Sequence, residues 1–160
     1  MILGHGVDAV EVARIRRALD RHPGFATRVF SERELVASAH RGAGAVAYLA
    51  RRWAAKEAAA KALGVGFSGF RYPEIEVGNL RSGAPTLLVS GEFGSWAEVV
   101  GVRAWHVSLS DTQDLALASV IAEGESPAVD PGPPPWVRRR LAGNQPVGNQ
   151  SVGKRSGRGA

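Results

Sequence analysis

The 160-residue sequence has no cysteine. That absence excludes a disulfide framework, a thiolate zinc site, an iron–sulfur cluster and a cysteine nucleophile, although it does not by itself fix the compartment. No apolar run approaches the roughly 18 residues of a membrane-spanning helix. The stretch Met1 to Val10 lacks the basic run and long apolar segment of a secretion signal. These absences read as a soluble, cytosolic (cytoplasmic) protein with no membrane partner. Phosphate-loop, paired-histidine metalloprotease and nucleophile-elbow motifs are missing too, and Gly4-x-Gly6 lacks the third glycine of a dinucleotide fingerprint.

What is present is a composition with 44% hydrophobic and 22% charged residues, enough apolar material for one packed core. The excess of 20 Lys+Arg over 15 Asp+Glu, a net charge of +5, invites a nucleic-acid reading until the charge is located. From Gly124 onward the chain holds six of the nine prolines and seven of the twenty glycines, with six basic residues against Glu125 and Asp130. The segment before it is therefore nearly neutral. Residues 124–160 lack the apolar periodicity that would offset their ordering entropy and are expected as a disordered Pro/Gly/Arg-rich tail. Arg138 to Arg140 read as solvated charge there, so nucleic acid is not expected as a partner. Residues 1–123 are expected as the folded domain.

Along that domain, Ile2 to Asp8 reads as a strand. Val10 to Arg21 reads as a helix with Val12, Ile15 and Leu19 on one side and Arg14, Arg17 and Arg21 on the other, stopped by His22-Pro23-Gly24. Ser31 and Glu34 form a capping-box pattern for a short helix reaching about His40. Ala45 to Leu63 is the strongest helix, alanine-rich and closed by Gly64. Beyond the Gly64–Gly69 turn, Glu74–Val77, Thr86–Ser90, Val102–Ser110 and Leu115–Ala122 read as strands, with a short helix at about Gly94–Val100. Asp111 to Asp114 supplies turn chemistry for an antiparallel hairpin of the last two strands. The fold class is mixed α/β (α+β), a long helix packed on antiparallel strands.

The wheel of the long helix places Glu57 about 40° from Trp53, on the flank of the stripe formed by Val46, Leu49, Trp53 and Ala60. Two readings stand. Glu57 forms an ordinary i, i+4 pair with Lys61, or it joins Asp8, at the end of the first strand, as an oxygen ligand for magnesium alongside water and phosphate oxygens. Arg52, Lys56 and Lys61 supply nearby cations for a phosphate. In the strand carrying His106, the alternate face is polar, either ordinary solvent-facing strand or part of a cleft.

Three segments together resemble the holo-acyl carrier protein synthases of the 4′-phosphopantetheinyl transferase superfamily. They are Gly6-Val7-Asp8 followed by Glu11, Arg14 and Ile15; Arg52-Trp53-Ala54-Ala55-Lys56-Glu57 through Lys61 to Gly64; and His106-Val107-Ser108-Leu109-Ser110. The W-x-x-K-E-x-x-x-K block is the specific part. The resemblance implies a transferase, serving fatty-acid (lipid) biosynthesis or another carrier-dependent pathway, that moves 4′-phosphopantetheine from coenzyme A to a serine of apo acyl carrier protein and releases adenosine 3′,5′-bisphosphate. It implies Mg2+ held by Asp8 and Glu57. It also implies Lys61 and Glu57 at the reacting phosphate, and His106 beside the coenzyme A phosphates. Arg52, Lys56 and the Gly83-Ala84-Pro85 turn would lie near the nucleotide, with Gly83 and Pro85 as its matching positions. Arg14, Arg17 and Arg21 would face the acidic carrier, and a homotrimer would bring His106, Asp8 and Glu57 together across a subunit contact.

The sequence departs from the family pattern at Asp111, where a second histidine usually stands, and at Ala84, where a lysine does. Both changes remove positive or titratable character from the nucleotide side. The alternative they leave open is a catalytically silent carrier-binding or scaffolding homologue.

Overall fold

The computed structural model describes residues 1–66, 69–127 and 129–143. In chain order it forms β1 (Ile2–Glu11), α1 (Val12–Arg21), α2 (Phe25–Val29), α3 (Glu32–Ala39), α4 (Ala45–Ala62), β2 (Ile75–Asn79), β3 (Pro85–Val89), α5 (Gly91–Val99), β4 (Val102–Asp111), β5 (Leu115–Gly124) and α6 (Pro135–Gly143). Short 3-10 turns occupy Gly42–Gly44 and Tyr72–Glu74.

Three strands make an antiparallel sheet in the order β1-β5-β4, and β2-β3 form a separate antiparallel pair. The centre strand β5 shows the two-residue period that sorts its faces. Ala116, Ala118, Val120 and Ala122 are fully buried, while Leu115 and Leu117 turn outward. Small inward residues let α4 lie against the sheet, and α4 reciprocates with Ala50, Ala54, Ala55, Ala58 and Ala59, all buried. The approach is closest at β1. A Cβ on Gly6 would sit 2.0 Å from the Ala58 carbonyl oxygen, and one on Gly4 would sit 1.8 Å from that of Ala62. The Gly4-x-Gly6 pair is thus a strand-to-helix packing device, and it draws Asp8, two residues on, against the same helix.

Several boundaries differ from the sequence expectation. β1 runs on to Glu11 because its pairing with β5 persists through Val10↔Ala116 and Glu11↔Leu115, so α1 begins at Val12 rather than Val10. The single turn α2 follows Gly24, whose φ of 79° only glycine adopts freely. α5 starts at Gly91, earlier than expected, because the Glu74 side chain accepts a hydrogen bond from the Phe93 N–H and supplies a cap from outside the helix. The Ser31–Glu34 capping box forms as expected.

The largest difference concerns residues 129–143, within the expected tail. There α6 docks on the domain through Trp136, which is 6% exposed and packs edge-on against Phe70 and Trp96. Trp136, with the partly buried Val137 beside it, supplies the apolar area that periodicity did not display. Lys154, Arg155 and Arg158 lie outside the described residues, as do Phe67 and Ser68 of the glycine-rich turn.

Candidate active site

At the junction of β1 and α4, Lys61 donates to Asp8 Oδ1 at 2.8 Å and to the Val7 carbonyl at 3.1 Å. Lys61 is thus engaged across the strand, and among the described residues no ion pair joins it to Glu57. Glu57, one helical turn earlier, accepts a 2.8 Å hydrogen bond from the Tyr72 hydroxyl on Oε1. Burial raises the Glu57 pKa above the usual carboxylate range, and the neighbouring Asp8 charge adds to the rise. The Tyr72 hydrogen bond and the Lys61 and Arg14 charges oppose it. Burial, together with the hydrogen bond to Glu57, holds the Tyr72 hydroxyl well above its ordinary pKa, so it stays a donor.

This set suits a hard divalent cation. A partly desolvated Glu57 carboxylate that feels the Asp8 charge gains from a shared cation between the two. Among the described residues no group of three His, Cys, Asp or Glu side chains converges on one point. A two-carboxylate site leaves the remaining positions to water and phosphate oxygens, the coordination that magnesium prefers.

A second cleft of about 520 Å³ opens on the other flank of α4, lined by Arg41, Tyr48, Arg51, Arg52, Asn79, Gly83, Leu109 and Asp111. The Arg52 guanidinium lies 3.6 Å from the Tyr48 ring centre and donates to Asn79 Oδ1 at 2.8 Å. Asn79 in turn donates to the Gly83 carbonyl at 2.7 Å and fixes the β2–β3 turn. Pro85 opens β3 opposite Asn79. Burial lowers the Arg52 pKa, and its Nε has no hydrogen-bond partner among the described residues. Asp111 forms a 2.5 Å ion pair with Arg51, so the departure from the family's histidine is matched by a cation from α4.

Two expected site residues stand elsewhere. Lys56 is fully buried, with its ammonium bound to Glu34 Oε2 at 2.8 Å, the Ile75 carbonyl at 2.5 Å and the Tyr72 carbonyl at 3.2 Å. The expectation that it meets a phosphate is corrected here, because all three of its donors are committed inside the core. His106 lies on the open face of the sheet opposite Ile121, and its Nε2 meets Glu123 Oε2 at 2.5 Å. Asp8 shares the α4-facing side of β1 with Gly6 and Val10, so within one chain His106 and Asp8 occupy opposite faces. On α1, Arg14 is near enough to Glu57 to influence its charge, and Arg17 makes a long 3.9 Å contact with Glu11. The sequence reading missed Tyr72, Arg41, Arg51 and Asn79. Arg51 and Asp111 are opposite charges sixty positions apart, and nothing local to Tyr72 points to Glu57.

Residues 4–120 match the family model described as the ACPS: 4′-phosphopantetheinyl transferase superfamily. The chain belongs to that superfamily. A holo-[acyl-carrier-protein] synthase of Streptomyces avermitilis is 46% identical over 123 residues, covering 77% of this chain and 98% of the relative. Among solved structures of the superfamily, the holo-[acyl-carrier-protein] synthase of Neisseria meningitidis superposes with a TM-score of 0.70 at 38% identity, covering 77% of this chain and 99% of its own. The Bacillus anthracis holo-(acyl-carrier-protein) synthase, in complex with CoA (3′,5′-ADP), gives a TM-score of 0.65 at 33% identity and covers 78% and 99%. The superfamily match ends at residue 120, so α6 lies beyond it.

Proposed function

We propose that this chain is a holo-acyl carrier protein synthase. It transfers 4′-phosphopantetheine from coenzyme A to a serine hydroxyl of an apo acyl carrier protein. The observation that carries this reading is the convergence of Asp8, Glu57 and Lys61 where β1 meets α4.

In the reaction the serine oxygen attacks the phosphorus that bears pantetheine, a new P–O bond forms, and the bond to the bridging pyrophosphate oxygen breaks. Adenosine 3′,5′-bisphosphate leaves with that bond's electron pair, and the serine proton passes to a base. Such transfers need positioning and charge neutralisation more than covalent help from the protein. Asp8 and Glu57 would hold magnesium, whose charge neutralises pyrophosphate oxygens. Lys61, its side chain 52% exposed, holds Asp8 and offers a mobile cation to the phosphate that takes on charge. In the second cleft, Arg52 and the Gly83–Pro85 turn bind the nucleotide end of coenzyme A, with Arg41 adding positive charge and Arg51 offsetting Asp111.

Arg14, Arg17 and Arg21 on α1 receive the acidic carrier, with Arg14 next to the reacting centre. The catalytic unit is residues 1–123. Assembly as a homotrimer accounts for His106: the open sheet face exposes Val7, Leu115 and Leu117 at 45%, 41% and 38%, and covering it with a second copy would carry His106 to another copy's Asp8 and Glu57. The reaction is placed in the cytoplasm as part of this reading, and among the described residues no helix is long and apolar enough to cross a membrane.

The test is incubation with apo carrier, coenzyme A and magnesium, with and without chelator, followed by intact-mass measurement of the carrier. A chelator-sensitive gain of one phosphopantetheine is the expected result. An unchanged carrier that nonetheless binds the protein would instead mark it as a silent scaffold.

A further inference from the structure

Tyr72 lies fifteen residues from Glu57 in sequence, in a turn between two secondary elements, yet its hydroxyl sits 2.8 Å from Glu57 Oε1. We propose that Tyr72 is a positioning residue for Glu57, committing one carboxylate oxygen so that the other is presented to the divalent cation. The proposal rests on the reading of Glu57 as a magnesium ligand.

Both ends of Tyr72 are fixed. Its ring stacks on Trp53 with centroids 5.0 Å apart and an interplanar angle of 22°, and Trp53 stacks in turn on Phe25 at 5.7 Å and 27°. This three-ring column runs from α2 across α4 to the Tyr72–Glu74 turn. Trp53 and Glu57 are one turn apart on α4, and neighbours at i and i+4 stand about 5–6 Å apart, within the reach of a phenol. The ring rests on the first and its hydroxyl meets the second.

The backbone end is held from inside the core. The Tyr72 carbonyl accepts a hydrogen bond from Lys56 Nζ at 3.2 Å, and Lys56 also holds the Ile75 carbonyl on the far side of the turn. Lys56 is locked by Glu34, whose two oxygens also accept from the Ser31 and Val77 N–H groups. A side chain pinned at ring, hydroxyl and carbonyl imposes its geometry on its partner. A glutamate without such a partner would sample several rotamers, only some of them aimed at the cation.

The discriminating variant is Tyr72→Phe, which keeps the ring stack and removes only the hydroxyl. Manganese serves as the probe, titrated into the protein–coenzyme A complex and followed by electron paramagnetic resonance. Partners that orient a metal ligand typically contribute about 10–100-fold in metal affinity or activity. Tyr72→Phe is expected to weaken manganese binding about tenfold and to lower kcat at limiting magnesium. The KM for coenzyme A and the thermal midpoint should hold, and excess magnesium should restore transfer. A merely structural tyrosine would move the midpoint and leave the manganese curve in place. Native binding that Tyr72→Phe leaves unchanged overturns this proposal alone, whereas a native protein that neither binds manganese nor makes holo carrier overturns the reading of Glu57 with it.

Discussion

Lys56 and Lys61 stand five residues apart on α4 and should respond to mutation in opposite ways. Lys56→Met preserves most of the side-chain volume but strands the Glu34 carboxylate, which is 2% exposed, without its counter-ion, and it leaves the Ile75 and Tyr72 carbonyls short of a donor. Burial already pulls the Lys56 pKa below its ordinary value, and the Glu34 charge is the principal opposing influence. The pair therefore stands or falls together. Removing one partner of a buried ion pair costs about 3–5 kcal/mol. For a domain of this size each kcal/mol shifts the thermal midpoint by about 3–4 °C, so the midpoint should drop by about 10–20 °C. Thermal unfolding followed by circular dichroism measures it. Adding Glu34→Gln should recover part of the loss, because glutamine keeps an acceptor for the Val77 N–H without a buried charge. A loss below about 1 kcal/mol, on the scale of an exposed pair, would refute the reasoning. So would a normal midpoint with a KM for coenzyme A raised tenfold, which would return Lys56 to the phosphate.

Lys61→Met removes a half-exposed partner and should cost less than about 1 kcal/mol while reducing transfer by at least about a hundredfold, measured as midpoint and as rate of holo-carrier formation. Glu57→Gln should abolish transfer yet raise the midpoint at pH 7. A carboxyl whose folded pKa is raised stabilises the fold when protonated and loses that contribution as pH rises through the folded value, so the variant's advantage should shrink as pH falls through the folded value and be gone below the unfolded value of about 4.3. A variant destabilised equally at both pH values would contradict the burial of Glu57. Trp136→Ala should cost about 3 kcal/mol, near the low end for a buried aromatic because the Trp136 and Trp96 indole N–H groups lack partners among the described residues. An unchanged urea midpoint would mean that α6 contributes nothing to the domain.

The elements with strong local signatures were legible before the structure. The alternation in β4 and β5, the capping box at Ser31 and the alanine-rich helix each carry their own period or cap. Asp8, Glu57 and Lys61 were also legible as residue types, and two positions one helical turn apart on α4 constrain where Glu57 and Lys61 point, although β1 runs three residues past the strand end expected at Asp8. The fates of Lys56 and Lys61 were not. α4 is covered on most sides, by the sheet, α1, α3 and β2, so its wheel has no single wet face to separate a buried lysine from an exposed one. Tyr72 and Trp136 were illegible for a different reason. Each acts through contacts to residues distant in the chain, made by one side chain alone, and an isolated residue leaves no period in the sequence.

The most direct test of the account is the intact mass of an apo acyl carrier protein after incubation with coenzyme A, magnesium and either the native protein or its Asp8→Asn variant, with the variant's folding checked by thermal midpoint. The account predicts one phosphopantetheine added by the native protein and none by a variant that melts within a few degrees of it. Full modification by Asp8→Asn, or none by the native protein, would contradict it.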